Sequence, residues 1–211
     1  MVERFAVLLA GPGVERGLIG PREVDRLWDR HLLNCGLLAE AIGPDRLVCD
    51  LGSGAGLPGI VLAAMRPDLR VTLLEPLLRR TEFLAEALDE LGLSNARVVR
   101  SRAEDHEGRY DTVTARAVAP LDRLAAWALP LCRPGGEVLA IKGERAAAEL
   151  EAVTGQLPTL GASEGEIRQY GVELVTPVLT VVRLVAAERA MRQAGAGASS
   201  VRRRGRRGEA R

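Results

Sequence analysis

Lys142 is the only lysine among 29 basic residues. Genome composition accounts for such a bias, so no function is drawn from it. Three cysteines (Cys35, Cys49 and Cys132) show neither the paired spacing of a metal knuckle nor an even-numbered disulfide framework. Their sparseness fits a reducing compartment, and Cys49, inside an apolar run, reads as a small core residue. No apolar stretch approaches the roughly 18 residues that a membrane span requires. Glu3 and Arg4 interrupt the first ten residues, which excludes the apolar segment of a signal peptide. No internal repeat is present. A soluble cytoplasmic protein is therefore expected, with neither a membrane nor a metal as partner.

The 211 residues, 47% of them hydrophobic, suffice for one domain with modest additions and a sizeable core. The formal charge of +1 conceals an asymmetry. Val201 to Arg211 holds six arginines and one glutamate, leaving 23 basic and 27 acidic residues in the body. The body is thus −4 and the tail +5. From Ala186 onward the pattern dissolves into Ala, Gly, Ser and Arg, a composition expected to be disordered. Its arginines read either as a solvated terminus or as a nonspecific phosphate-binding arm. The expected organisation is an N-terminal helical extension over 1–44, a main domain over 45–187 and an Arg-rich tail over 188–211.

The stretch Val48-Cys49-Asp50-Leu51-Gly52-Ser53-Gly54-Ala55-Gly56-Leu57-Pro58-Gly59 runs from an apolar strand through alternating glycines into an apolar helix, Leu57 to Met65. Glycines at such a turn permit positive φ and expose bare backbone to a ligand. Pro58 suits a first helical turn, where no N–H is needed. Gly54 to Gly59 matches the G-x-G-x-x-G of dinucleotide sites. Asp50, two residues before Gly52, would repel a pyrophosphate but suits a cationic amino acid. The spacing D-x-G-x-G-x-G from Asp50 resembles the first motif of S-adenosylmethionine methyltransferases. Glu75 follows the next strand, where a carboxylate can take ribose hydroxyls. Both cofactors share that need, so Glu75 points to an adenosine without choosing between them.

Apolar residues from Val24 to Ile42 recur at helical spacing, predicting one helix over Pro21–Ile42. A short helix over Met1–Ala10 is expected before it, broken at Gly11-Pro12-Gly13. Strands are predicted at Leu47–Leu51, Arg70–Glu75, Ala96–Ser101, Asp111–Ala117 and Gly136–Lys142. Helices are predicted at Leu57–Met65, Leu77–Leu91, Leu121–Leu131 and Glu144–Leu157, and a closing hairpin at Glu166–Leu174 and Val178–Val185. This alternation predicts an α/β, doubly wound, mostly parallel sheet of the Rossmann-like kind.

Ligands of such sheets collect beyond the carboxyl ends of the strands. Asp50, Glu75, Arg102 with Glu104 and Asp105, Arg116 and Lys142 all fall there. Ala103-Glu104 would open a short helix whose backbone and acid can hold an adenine edge. Arg116 interrupts an apolar run, and a buried arginine needs a partner. Lys142 reads as a phosphate contact or an exposed strand-end lysine. On the N-terminal helix one turn brings Arg30, His31 and Asn34 together; His106 reads as surface. No Asn/Asp-Pro-Pro-aromatic motif follows the fourth strand, where Ala119-Pro120-Leu121 stands, which argues against an exocyclic amine as acceptor. Cys132, placed on a helix, leaves attack on C5 of a pyrimidine without a nucleophile. A ring nitrogen such as guanine N7 needs neither device, because its lone pair is free.

Taken together, Arg30-His31, Asp50 to Gly59 with its Leu57-Pro58-Gly59, Arg79-Arg80 with Phe83-Leu84, Ser101-Arg102-Ala103-Glu104, Thr114-Ala115-Arg116-Ala117 and Ile141-Lys142-Gly143 resemble the small-subunit rRNA guanine-N7 methyltransferase family, formerly called glucose-inhibited division protein B. The likeness covers roughly residues 15 to 185. It departs from the family pattern at Asn34-Cys35 and Gly17-Leu18-Ile19. The resemblance implies S-adenosylmethionine as cofactor, held by Gly52, Gly54 and Leu57 with Asp50 and Glu75, and with Ala103 and Glu104 at the adenine. Arg116 would border cofactor and guanine, and His31, Arg116 and Lys142 would engage RNA. The implied partner is 16S rRNA or the small ribosomal subunit, met by a monomer. Two rivals remain at this point: an NAD(P)-dependent oxidoreductase and a non-catalytic ribosome-assembly factor.

Overall fold

Strand β1 (Leu47–Leu51) is buried at every residue but its first. Successive side chains point to opposite faces, so β1 needs cover on both sides. The computed structural model of the chain describes residues 1–188. The Arg-rich tail, apart from Glu188, lies outside the described residues.

Among the described residues, seven strands form one sheet in the order β3-β2-β1-β4-β5-β7-β6. These are β1, β2 (Arg70–Leu74), β3 (Ala96–Val99), β4 (Tyr110–Arg116), β5 (Cys132–Lys142), β6 (Ala162–Tyr170) and β7 (Leu179–Ala186). β1 pairs in parallel with β2 and β4, Asp50 standing opposite Leu73 and Thr114. β7 runs antiparallel to both β5 and β6. The chain order reverses direction at β1, so the crevice beyond β1 and β4 is the switch point where ligands bind in sheets of this type.

The period-2 alternation sorts side chains into two cores. Val48, Leu73, Leu139 and Val181 face one core, together with α3 (Gly59–Met65) and α4 (Leu78–Leu91). Cys49, Leu74, Val138, Ala140 and Val182 face the other, under α5 (Leu121–Ala128), α6 (Ala146–Thr154) and α7 (Leu157–Leu160). The first core also takes Phe5 and Leu9 from α1 (Val2–Leu8) and the residue after it, and Cys35 from α2 (Leu33–Leu37). The N-terminal helices therefore share the core of the sheet. Phe5, fully buried, contributes on the order of 2 kcal/mol by that burial alone. α4 ends on Gly92 in the left-handed conformation (φ 67°). Leu93 N–H reaches back to Leu88 O at 3.0 Å, the bond that satisfies a helix's last carbonyls.

Several boundaries differ from expectation. No break occurs at Gly11-Pro12-Gly13: Leu9–Gly13 widens into a π-helical turn with Pro12 inside it. A proline has no N–H to give, and the wider turn spares the i−4 carbonyl from its ring. Pro21–Ile42 is helical but uneven, passing through 3-10 (Pro21–Arg26), π (Leu27–Leu32), α2 and 3-10 (Leu38–Ala41) segments. α3 begins at Gly59, with Pro58 before it as cap. Cys132 opens β5, not a helix, and is buried. The helix expected through Leu157 stops at Thr154, and β6 begins at Ala162, earlier than the predicted hairpin.

Gly59 sits where α3 crosses β1 and β2. A Cβ there would stand 2.3 Å from Leu73 Cδ2 and 2.6 Å from Asp50 Oδ2. Gly59→Ala is expected to cost about 1–3 kcal/mol, read as a lowered midpoint in denaturant. Gly155→Ala, where nothing lies within 4 Å, should leave the midpoint within experimental error.

Candidate active site

The loop after β1 turns on Gly52 (φ 68°), Gly54 (φ 57°) and Gly56 (φ 91°), conformations that strain any residue with a Cβ. The loop is stitched to the end of β2. Gly52 and Ser53 N–H groups both donate to Leu74 O, at 2.8 and 3.2 Å. Gly54 N–H donates to Glu75 Oε2 at 3.0 Å. A Cβ on Gly52 would meet Val118 Cγ2 at 2.9 Å, so the bare glycine also sets the approach of the segment after β4.

Asp50 is fully buried. Its Oδ2 accepts Gly59 N–H at 2.9 Å, and its Oδ1 accepts the Thr114 hydroxyl at 3.4 Å. The carboxylate thus faces the loop's own framework. Burial pushes its pKa from 3.8 up to about 6, against the pull of Ser53, Gly59, Thr114 and the Arg116 charge. At neutral pH the group is ionised.

Glu75 is also buried. Besides Gly54 N–H, it accepts Leu77 N–H on Oε1 at 3.0 Å, and Arg80 Nη1 lies 3.5 Å from Oε2. A carboxylate has about four lone-pair positions, so accepting capacity remains for a hydroxyl. Bare backbone at three glycines beside such a carboxylate fits an adenosine cofactor.

At the end of β4 the structure brings together residues that the sequence separates widely. Arg116 Nη2 donates to His31 Nδ1, and Arg116 Nη1 lies 3.7 Å from Cys35 Sγ. His31 Nε2 lies 2.8 Å from Glu23 Oε2, whose other oxygen meets Arg30 Nη1 at 3.3 Å. A guanidinium only donates, so Nδ1 must offer its lone pair, and Nε2 then carries the proton given to Glu23. His31 is accordingly held neutral. Burial first, then the Arg116 charge, lowers its pKa, with Glu23 opposing. Burial pushes the Cys35 thiol up to about 11, so it too is uncharged.

Lys142 is neither an exposed strand-end lysine nor at the His31 cluster. Its Nζ donates to Ala119 O at 2.7 Å and to Glu149 Oε2 at 2.8 Å. Glu149 Oε2 also accepts Leu121 N–H at 2.9 Å. The pair ties the loop after β4 to α6. After β3, Ala103-Glu104 forms a turn and not the expected helix, closed by His106 N–H on Ala103 O at 3.3 Å. Ala103 packs on the second core while Glu104 is exposed. Arg102 and Asp105 are exposed as well. His106 is not a free surface group: it is half-buried, with Nε2 2.7 Å from the Tyr110 hydroxyl.

Sequence reasoning missed Glu23 and Glu149 and gave Cys35 and Thr114 no role at the site. Cys35 lay one turn beyond His31 and could have been found by that spacing. Glu23 could not. Eight residues of straight α-helix span roughly 12 Å, whereas here the chain bends at Arg26 (φ −112°, ψ 8°) and returns Glu23 over His31. Among the described residues no group of three or more His, Cys, Asp or Glu side chains could hold a metal ion. No described helix is long and apolar enough to cross a membrane.

Sheet order, glycine turn and the acid after β2 define a Rossmann-like methyltransferase fold. Solved methyltransferases share it at low identity. Precorrin-6y C5,15-methyltransferase from Geobacter metallireducens superposes with a TM-score of 0.51 at 15% identity, over 80% of this chain and 90% of that one. The mitomycin 7-O-methyltransferase MmcR gives 0.56 at 19%, over 79% and 59%. Residues 1–173 match the family model for rRNA small subunit methyltransferase G, and the chain belongs to that family. The ribosomal RNA small subunit methyltransferase G of Streptomyces coelicolor is 58% identical over 88% of this chain and 79% of its own length. The protein of the same name from Mycolicibacterium smegmatis is 51% identical over 97% and 90%. Membership makes the chain a methyltransferase and removes the oxidoreductase reading of Gly54 to Gly59.

Asp50 yields a pH prediction. Its folded pKa lies above its unfolded value, so ionising it costs stability, and that cost grows as pH rises from about 4 to about 6. Asp50→Asn removes the charge. Its stability relative to the wild type should therefore rise over that interval and level off above it, measured by denaturant unfolding at several pH values. A constant difference across the interval would mean that Asp50 does not titrate there.

Proposed function

We propose that this protein transfers a methyl group from S-adenosylmethionine to N7 of a guanine in 16S rRNA of the small ribosomal subunit, in the cytoplasm and as a monomer. The reading rests on membership of the family together with one observation at the site. Arg116 ends β4 at the switch point, oriented by hydrogen bonding to a neutral imidazole and not to a carboxylate.

The bound cofactor supplies a sulfonium methyl, an electrophile that needs no further activation. Gly52 and Gly54 provide bare backbone for it, with Leu57 bordering the loop, and Glu75 accepts from ribose hydroxyls. Ala103 and Glu104 stand at the edge expected to receive the adenine. Asp50 acts through the loop: by holding Gly59 N–H and Thr114 it keeps the glycines in register. Guanine N7 carries a free lone pair, so no residue has to remove a proton before the displacement. Alignment and charge compensation then carry the reaction. Guanine O6, beside N7, is an acceptor for a guanidinium, and Arg116 is the donor placed to meet it or a flanking phosphate. Lys142, engaged by Glu149, shapes the loop through Ala119 and Leu121. The exposed Arg79 and Arg102 flank the same edge of the sheet and suit RNA phosphates. The helices before residue 44 form the remaining wall, and the domain over 45–187 carries the cofactor.

Labelled S-adenosylmethionine, incubated with this protein and small subunits from a strain lacking its gene, should yield one new 7-methylguanosine in 16S rRNA by nucleoside mass spectrometry. Gly52→Val should lose cofactor binding, because its side chain meets Val118. Arg116→Ala should keep cofactor binding and lose turnover. Subunit binding without any methylated nucleoside would instead favour the non-catalytic assembly factor.

A further inference from the structure

Arginines that lie in protein interiors are commonly matched by a carboxylate, which orients the guanidinium and cancels its charge together. Arg116 is arranged differently. Among the described residues its side-chain hydrogen bonds end on the imidazole of His31 and the thiol of Cys35, both uncharged. The nearest acid in that chain of contacts, Glu23, is one imidazole further away. The Asp50 carboxylate feels the Arg116 charge from behind, but the groups that orient the guanidinium are uncharged.

Such an arrangement works in one tautomer only. With the proton on Nε2, His31 gives it to Glu23 and turns a bare Nδ1 toward Arg116. With the proton on Nδ1, two donors would face each other and the contact would be lost. Nothing intrinsic to an imidazole enforces the first tautomer. A carboxylate acceptor at Nε2 does, and Glu23 is held for that purpose by the bend at Arg26 and the second contact to Arg30. The π-helical segment Leu27–Leu32 carries His31 on the buried side, facing β4.

We propose that Glu23 is a positioning residue for methyl transfer, fixing His31 as the neutral Nε2–H tautomer so that Arg116 is held in one orientation toward the acceptor base. This deepens the reading of the site as a guanine methyltransferase and rests on it. Protonation of His31 would undo the arrangement, since the imidazolium has no lone pair and would confront Arg116. The charged groups around His31 are Glu23 and Arg30 from the N-terminal helices and Arg116 from β4, with the Cys35 thiol beside them and Asp50 of β1 behind Arg116. Glu23 favours the imidazolium, so removing its charge lowers the pKa of His31 further. Activity that fails on the acid side should then persist to lower pH.

The test pairs kinetics with a direct view of the ring. In Glu23→Gln the acid limb of the kcat/KM profile should move down by about one pH unit, since a neutral amide still accepts from Nε2–H. In Glu23→Ala the acceptor is gone, and kcat should fall roughly tenfold or more, with cofactor affinity retained. Histidine labelled with 15N reports the tautomer. The chain has two histidines, and a His106 variant assigns them. Wild-type His31 should show a protonated Nε2 and a bare Nδ1, and Glu23→Ala a mixture. A merely structural role would lower the folded fraction without moving the acid limb. Asp50 is held by Gly59 and Thr114 and not by Glu23, so it keeps its own titration in Glu23→Gln, and an unmoved limb would overturn the proposal. A wild-type ring protonated on Nδ1 would do so equally. Should the wild type methylate no guanine, the functional reading and the proposal fall together; methylation with an unmoved limb removes only Glu23.

Discussion

The buried Asp50 carboxylate is the constraint on which the site is built. A charge taken out of water is costly unless every lone pair is engaged. Here the engagement comes from Gly59 N–H at the start of α3 and the Thr114 hydroxyl on β4, and Ser53 donates to the backbone of Asp50. Satisfying one carboxylate therefore fixes β1, the glycine loop, α3 and β4 relative to one another. Gly59 has to be glycine because the helix approaches so closely that Asp50 and Leu73 occupy the space of a Cβ. The glycine loop is then a consequence of this clamp and of its stitches to Leu74 and Glu75.

A second set of contacts assembles the walls around that clamp. The N-terminal helices bury Phe5, Leu9 and Cys35 in the same core as α3 and α4, and from that position His31 can reach Arg116. On the other side Lys142, Glu149 and Leu121 N–H hold the loop after β4 against α6. Apolar burial supplies the driving force in both places, while the polar contacts choose one geometry from those that burial permits. That division explains the position of Arg116, whose guanidinium is oriented by His31 and Cys35 from distant sequence.

The strands and the longer helices were legible because they rest on local periodicity. β1 matches its expected span, β2 to β5 lie within a few residues of theirs, and α4 is confirmed by its apolar spacing and by Gly92. The N-terminal region was read less well. Its helical spacing is genuine, but Pro12 and the bend at Arg26 are absorbed by π and 3-10 turns that no apolar pattern encodes. The turn at Ala103-Glu104 misled for a related reason: a favourable first-turn acid does not make a helix when the segment lacks an apolar face to bury.

For the site, the residue types at the strand ends followed from the sequence alone, because in a parallel sheet the chain direction carries every strand's carboxyl end to one edge. Asp50, Glu75, Arg116 and Lys142 were placed at that edge in this way, whereas the family likeness rested on short motifs such as Leu57-Pro58-Gly59. What each side chain touches was decided only by tertiary structure. The inward turn of Asp50, the capture of Lys142 by Glu149 and the Glu23–His31–Arg116 series depend on which surfaces meet when two cores close on one sheet. Local pattern fixes the direction of a strand and the face of a helix, but the partner of a buried charge is chosen by whatever group the packing brings within hydrogen-bond reach.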